Sequence, residues 1–128
     1  MKYIFVSLIF FINVETMAKQ ISDLNWEKRV VIISFENKKE KIFLSSQKFI
    51  QENRCAVDDR NVQFIFFEKF KNTEFEMPKF VSDEFGIWLI GYDGSIKDYS
   101  KDDKIFLRLF NLIDTMPMRQ NEMKHDKC

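Results

Sequence analysis

The chain is poor in the residues on which many enzyme sites depend. Its 128 residues include one histidine, two cysteines, three glycines and two prolines. Three glycines are too few for a glycine-rich phosphate-binding loop, which uses several within one short segment. A structural zinc site needs four ligands, and the His125/Cys128 pair offers only two. A hydrolase built on a serine or cysteine nucleophile would have to use His125 as its base. We therefore expect neither a metal nor a cofactor.

The chain also lacks an excess of either charge. Twenty lysines and arginines balance twenty aspartates and glutamates, so the formal net charge at pH 7 is zero. Domains that bind nucleic acids normally carry a clear basic excess. The composition therefore argues against a nucleic-acid partner.

Long apolar runs are missing as well, apart from a short one at the N-terminus. Lys2 gives a positive start, Tyr3 to Val14 is almost wholly apolar, and Ala18 is a small residue at a suitable cleavage position. This order is typical of a secretory signal peptide. A run of about a dozen residues is too short for a membrane-spanning helix, which needs roughly twenty. We predict a signal peptide at residues 1–18 and an exported product, periplasmic or secreted and soluble. The alternatives are an uncleaved anchor or an unusually apolar first strand.

What the chain has in abundance is phenylalanine, with 15 copies, which indicates a packed aromatic core. Arg29–Phe35 and Val62–Phe67 are predicted to be buried strands, because neither face of either run is polar. Ile87–Ile90 is the third predicted strand. The Asp93-Gly94 pair, which suits a tight turn, leads into a fourth at Ile96–Tyr99.

Helices are predicted between and after these strands, beginning near Ser45, Pro78 and Ser100. The two serines are good N-cap residues, and proline suits a first helical turn. Pro117 is expected to end the last helix. Strands joined through a helix are best built as parallel neighbours. The order β-α-β-α-β-β-α therefore predicts an α/β fold, a thioredoxin-like mixed sheet of about four strands flanked by three helices.

The part of the chain that follows the predicted signal peptide has the length of one domain, about 110 residues. Glycine and proline are sparse, so long disordered linkers are not expected. We predict a single domain at residues 19–123 and a flexible polar tail at residues 124–128.

Several short strings in this domain resemble one protein family. They are Trp26-Glu-Lys-Arg29, Arg60, Leu89-Ile-Gly-Tyr-Asp-Gly94, Ile113-Asp-Thr-Met-Pro-Met-Arg119 and Glu122-Met123. Together they are similar to the domain of unknown function 4174 family, over roughly residues 24–123. The resemblance implies a bacterial, exported, thioredoxin-like domain with no established activity, and similar domains occur in animal extracellular-matrix proteins. Family members usually carry lysine before the Asp-Gly pair, where this chain has Tyr92.

A thioredoxin-like order in an exported protein raises the hypothesis of thiol–disulfide exchange. That chemistry uses a reactive thiolate at a helix start, usually from Cys-x-x-Cys directly after the first strand. No cysteine follows Phe35 there, and Phe85-Gly86 stand where a thioredoxin has proline before the third strand. Cys55 and Cys128 form a disulfide, which exported proteins favour, or remain free thiols, or Cys128 pairs with a second molecule. The sequence leaves these possibilities open.

The best candidates for a ligand or partner site are charged residues within the family strings. They are Asp93, Asp114, Arg119, Arg29 and Arg60. Arginine can hold a carboxylate through two parallel hydrogen bonds, either inside the protein or on a ligand. For Arg119 an internal salt bridge to Asp114 or Glu122 is favoured. The acidic pairs Asp58-Asp59 and Asp102-Asp103 are expected to serve as helix caps or turns.

Two functional hypotheses follow. The first is a non-catalytic domain that binds an unknown protein or envelope component. The second is a divergent thiol redox enzyme that uses Cys55. The missing Cys-x-x-Cys motif favours the first.

Overall fold

The computed structural model describes residues 19–69, 71, 74–125 and 128. The predicted signal peptide at residues 1–18 lies outside the described residues. No helix among the described residues is long and apolar enough to cross a membrane.

The strands of the described residues are named β1 to β6 in chain order. They span Lys19–Gln20, Arg29–Phe35, Val62–Glu68, Phe75–Glu76, Gly86–Ile90 and Ile96–Ser100. Within these residues, four strands form a mixed sheet in the order β3-β2-β5-β6. β2 is parallel to β3 and antiparallel to β5, and β6 is antiparallel to β5. The predicted mixed four-stranded sheet is therefore confirmed. The rule that helix-linked strands run parallel holds for β2 and β3 but not for β5.

The remaining two strands form a small separate pair. β1 and β4 run parallel, with Lys19 opposite Phe75. The pair forms because the segment after β3 returns past the N-terminal residues, a long-range contact that no local pattern reveals.

The described α-helices are named α1 to α5. They span Lys41–Glu52, Arg54–Asp59, Lys79–Asp83, Leu109–Asp114 and Pro117–Glu122, and 3-10 helices cover Ile21–Leu24, Asp103–Leu107 and Met123–His125. The described residues thus hold more and shorter helical segments than the three that the sequence predicts.

Three predicted helix boundaries are wrong. Ser100 is the last residue of β6, and Asp102 caps the 3-10 helix that begins at Asp103. α1 begins at Lys41, so Ser45 lies inside the helix, where its hydroxyl donates to the Lys41 carbonyl (2.6 Å). Pro117 does not only end a helix, because it occupies the first turn of α5. Proline suits this position because the amide it lacks would have no intrahelical partner. The extra turn is what brings Arg119 to the protein interior.

The hydrophobic core lies on both faces of the sheet. Alternate residues of a strand point to opposite faces. In β2, Val31, Ile33 and Phe35 pack against α1 and the C-terminal helices, whereas Val30 and Ile32 belong to the cluster on the other face. Every residue of β2 is buried. This is why the strand carries no polar face.

The turn between β5 and β6 is tight, as the Asp93-Gly94 pair predicts. Gly94 has a φ of +80°, and a Cβ added there would lie 2.8 Å from the Asn25 side chain. Only glycine satisfies both conditions without strain. The turn places Tyr92 beside the start of β2.

Candidate functional site

Two arginines are the largest fully buried side chains in the described part of the protein. Arg29 is the first residue of β2 and Arg119 the third of α5, and their exposed fractions are 0% and 1%. Buried cations are uncommon because desolvation is costly unless the charge is paired and hydrogen-bonded. The partners of these two guanidinium groups therefore need to be identified one by one.

Arg119 is fully engaged with its own chain. Its Nε donates to Asp114 Oδ1 (2.9 Å), its Nη2 to Asp59 Oδ2 (2.7 Å) and its Nη1 to the Asp59 carbonyl (3.0 Å). Asp59 is itself nearly buried, with 6% of its side chain exposed. The pKa of Arg119 is raised: burial opposes the charge, but the bonds to Asp59 and Asp114 outweigh it. This arginine is used internally.

Asp114 joins a second arginine to this network. Arg60 donates through Nε to Asp114 Oδ1 (3.0 Å) and through Nη2 to Oδ2 (2.9 Å). The Arg60 guanidinium also stacks 4.2 Å from the centre of the Phe110 ring. Burial alone would raise the pKa of Asp114. The hydrogen bonds from Arg60 and Arg119 lower this pKa by more than burial raises it, so the net shift is downward. We call Asp59, Arg60, Asp114 and Arg119 the closed network.

Arg29 is engaged on one side only. Its Nη1 donates to the Arg60 carbonyl (2.7 Å) and to Glu122 Oε2 (2.9 Å) and lies 3.3 Å from the Tyr92 hydroxyl. Its Nε and Nη2 are buried and have no hydrogen-bond partner among the described residues. Such unsatisfied buried donors are rare in native proteins and call for an explanation.

Tyr92 fixes the position of Arg29. The Arg29 guanidinium lies 4.2 Å from the centre of the Tyr92 ring, a cation–π contact. The Tyr92 hydroxyl donates to Glu122 Oε1 (2.6 Å) and accepts from Asn61 Nδ2 (3.0 Å). Burial and the bond to Glu122 raise the pKa of Tyr92. Tyr92 therefore supports the arginine directly.

A pocket of about 330 Å³ opens beside Arg29. Its lining consists of Trp26, Arg29, Gly91, Tyr92, Asp93, Lys97, Met116, Pro117 and Met118. Small-molecule sites typically combine such apolar walls with a few polar groups, in volumes of about 300–1,000 Å³. The pocket is thus of ligand size.

Trp26 is the most unusual residue of the pocket wall. Its side chain is 67% exposed and its φ is +66°. Positive φ is strained for a bulky residue, and such strain concentrates at functional sites. The backbone is held there because the Trp26 amide donates to the Tyr92 carbonyl (2.8 Å). Met118 adds a second exposed apolar side chain to the same wall.

The structure divides the predicted site residues between two places. Arg60, Asp114 and Arg119 belong to the closed network, whereas Arg29 and Asp93 line the pocket. Asp93 accepts from Ser95 and forms an ion pair with Lys97 (3.1 Å), and these bonds lower its pKa to about 2.

Sequence reasoning missed Asp59 and Tyr92. The sequence predicts that the Asp58-Asp59 pair forms a cap or turn, but Asp59 is the buried partner of Arg119. The sequence signal for Tyr92 is its place in the Leu89–Gly94 string, where the resemblance noted above implies a lysine. The prediction for Asp102 holds, since its side chain accepts from the Lys104 amide at the start of a 3-10 helix.

The two cysteines lie outside this region. Cys55, in α2, is bonded to Cys128, with 6.0 Å between their Cα atoms. The bond fastens the C-terminal segment, which follows Glu122, to the first half of the chain. Neither cysteine lines the pocket beside Arg29. Among the described residues there is no cluster of histidine, cysteine or acidic side chains that could hold a metal ion.

The fold and the site together define an α/β domain with a mixed sheet and a buried arginine in the lining of a small pocket. The family model "Domain of unknown function (DUF4174)" matches residues 20–122, and the chain belongs to this family. No curated protein and no solved structure matches the chain.

Proposed function

We propose that this chain is an exported, non-catalytic, thioredoxin-like domain that binds a protein or envelope component through the pocket beside Arg29. The observation that carries the proposal is the combination of two unpartnered donors on a fully buried arginine with a pocket of about 330 Å³. Two exposed apolar side chains, Trp26 and Met118, stand at the same pocket. Exposed aromatic and methionine side chains are enriched at binding surfaces.

Export is supported by two independent features. The N-terminal residues have the order of a signal peptide, and Cys55 is paired with Cys128. Structural disulfides persist in oxidising compartments and are rare in the cytosol. A periplasmic or secreted location fits both.

The absence of redox catalysis is supported by the placement of the disulfide. A catalytic thiol of the thioredoxin type would lie at the start of α1, directly after β2. Cys55 lies in α2 and its partner is 73 residues away. A disulfide that closes so long a loop stabilises a domain by about 2–4 kcal/mol. We therefore assign it a structural role.

Binding can be tested by titrating the labelled, disulfide-intact protein with a library of small fragments and recording amide chemical shifts. We expect the hits to shift resonances of Trp26, Gly91 and Tyr92, which line the pocket. The matched control site is the exposed apolar side chain of Leu107, 84% exposed and outside this pocket. Hits that cluster elsewhere, or no hits at all, would refute the binding proposal.

Redox catalysis can be tested on the same preparation. Both cysteines are exposed, so a redox enzyme would accelerate the reduction of a disulfide-linked reporter peptide by reduced glutathione, which is itself oxidised to its disulfide. We expect no turnover above that of a variant carrying Cys55→Ser and Cys128→Ser. Turnover that this variant loses would establish the redox enzyme instead.

A further inference from the structure

Arg29 presents an unused pair of donors of a particular shape. Arginine carries five N–H groups in a rigid plane. Those of Nη1 are directed to the Arg60 carbonyl and Glu122, whereas Nε and Nη2 have no partner among the described residues. One N–H of Nη2 runs parallel to that of Nε, along one edge of the plane. This edge matches the two oxygens of a carboxylate or another oxyanion.

The neighbouring carboxylates are committed elsewhere. Glu122 accepts from Arg29 Nη1 and from the Tyr92 hydroxyl. Asp93 accepts from Ser95 and Lys97, and Asp114 from Arg60 and Arg119. The described chain therefore supplies the Arg29 edge with no acid of its own.

A neutral ligand would meet this need less well. Leaving a charged donor buried without a partner costs more than leaving a neutral one, because the desolvation of the charge is not compensated. Bonds between an ionised donor and an ionised acceptor are about twice as strong as neutral ones. An oxyanion thus gains the most from the Arg29 edge.

The walls of the pocket indicate what the anion is attached to. Trp26, Met116, Pro117 and Met118 line it with apolar surface. Methionine side chains adapt to irregular apolar shapes, and tryptophan offers a flat contact face. Lys97, the other cation in the lining, is already paired with Asp93. The lining favours a ligand with a single anionic end and an apolar body.

Building on the proposed function, we propose that the pocket binds a carboxylate joined to an apolar or aromatic group, with both oxygens on Nε and Nη2 of Arg29 and the apolar group against Trp26 and Met118. Both donors are buried, so the wall must shift slightly for the acid to reach them. Trp26 and Met118 are exposed and can move without disturbing the core. A free carboxylic acid and the C-terminal end of a peptide share this chemistry.

The test observes the Arg29 Nε–H signal of the full, disulfide-intact chain by NMR during titration with N-acetyl-L-phenylalanine. The matched ligand is N-acetyl-L-phenylalanine amide, which has the same body without the charge. We expect the acid to bind about ten to a hundred times more tightly, the range for hydrogen bonds to charged groups. Its binding should shift the Arg29 Nε–H signal. The Arg119 Nε–H, already bonded to Asp114, is the internal control and should not move.

Two variants locate the apolar part of the ligand. Trp26→Ala should weaken binding of the acid at least about fivefold, since it removes the exposed aromatic wall of a concave site. Leu107→Ala, at an exposed apolar residue outside the pocket, should leave the affinity unchanged. Equal affinities in these two variants would overturn the assignment to this pocket.

A hexapeptide that ends in phenylalanine distinguishes the two sources of the carboxylate. Tighter binding of the peptide than of the single residue assigns the pocket to chain ends, and the reverse assigns it to small acids; either result supports the proposal. Equal binding of acid and amide, with pocket resonances shifting, would overturn the carboxylate assignment and leave the binding function intact. No binding of the acid at millimolar concentration would overturn the carboxylate assignment too, and the fragment titration would then decide the binding function alone.

Discussion

The two buried arginines are close neighbours in the fold and yet differ in how their charge is satisfied. Every nitrogen of Arg119 donates to an acidic residue of its own chain. In Arg29, Nη1 donates to Glu122, whereas Nε and Nη2 have no hydrogen-bond partner among the described residues. Since burial is equal, the two side chains differ in their unused donors, and this difference is the reason why we propose a binding role for Arg29 and not for Arg119.

The largest expected effect comes from breaking the closed network. Arg119→Met should destabilise the protein by about 3–5 kcal/mol, because it removes the buried cation that donates to both Asp59 and Asp114. The measurement is urea denaturation at neutral pH. Arg108→Met is the matched control: Arg108 pairs with Asp98 at the surface, where such pairs contribute about 1 kcal/mol or less. If the two variants lose the same stability, the closed network is not a main support of the fold.

The second largest expected effect is on how stability depends on acidic pH. The pKa of Asp114 is lowered from an ordinary value of 3.8. Its ionised form therefore stabilises the folded state above pH 3.8, and this contribution is lost as the pH falls through the lower folded value. Asp114→Asn should cost about 1–3 kcal/mol at neutral pH. Its melting temperature should then fall less than that of the wild type on acidification. Parallel melting curves for the two proteins would contradict this.

Arg29 should matter less to stability than Arg119. Arg29→Met removes two unsatisfied donors along with the ion pair to Glu122, whose side chain is 26% exposed and can be hydrated. We expect a loss of about 1–2 kcal/mol in urea denaturation, well below that of Arg119→Met. An equal loss in both variants would mean that the two arginines have the same structural role, and the comparison would fail.

The smallest expected effect distinguishes backbone strain at Trp26 from the contribution of its side chain to stability. Trp26→Ala removes an exposed side chain and should change stability by less than about 0.5 kcal/mol. Trp26→Gly also relieves the positive φ, which costs a non-glycine residue roughly 1–2 kcal/mol. The glycine variant should therefore melt at a higher temperature than the alanine variant. The reverse order would show that the backbone at residue 26 is not strained.

Some parts of the fold can be predicted from the sequence and others cannot. The buried strands β2, β3 and β5 are predictable because continuous β-branched and aromatic runs fit a sheet covered on both faces. The Asp93-Gly94 turn is predictable because glycine alone suits its φ. The thioredoxin-like assignment stays a prediction, since no solved structure matches the chain.

Helix boundaries are harder to predict from the sequence than the buried strands. Ser45 has the composition of a cap but lies inside α1, since a serine can also donate to the carbonyl four residues before it. Pro117 signals a helix end and a helix start equally well. The pattern predicts the end of a helix, whereas the helix start at Pro117 is what positions Arg119.

The candidate site was only half predictable. Arg29, Arg60, Asp93, Asp114 and Arg119 stand out as charged residues in distinctive strings. Their division into a closed network and a pocket depends on partners far along the chain. Asp59 lies 60 residues from Arg119, and Glu122 lies 93 residues from Arg29.

The sequence by itself determined the core strands, the tight turn, the family and the set of charged residues, because each follows from local pattern or from short strings. Only the tertiary structure decided which arginine is fully paired and which retains unpartnered donors. The physical reason is that hydrogen bonds saturate: each donor's use depends on which acceptors the fold brings within about 3 Å of it. That choice is made by contacts between distant segments, and for Arg29 the acceptors are too few.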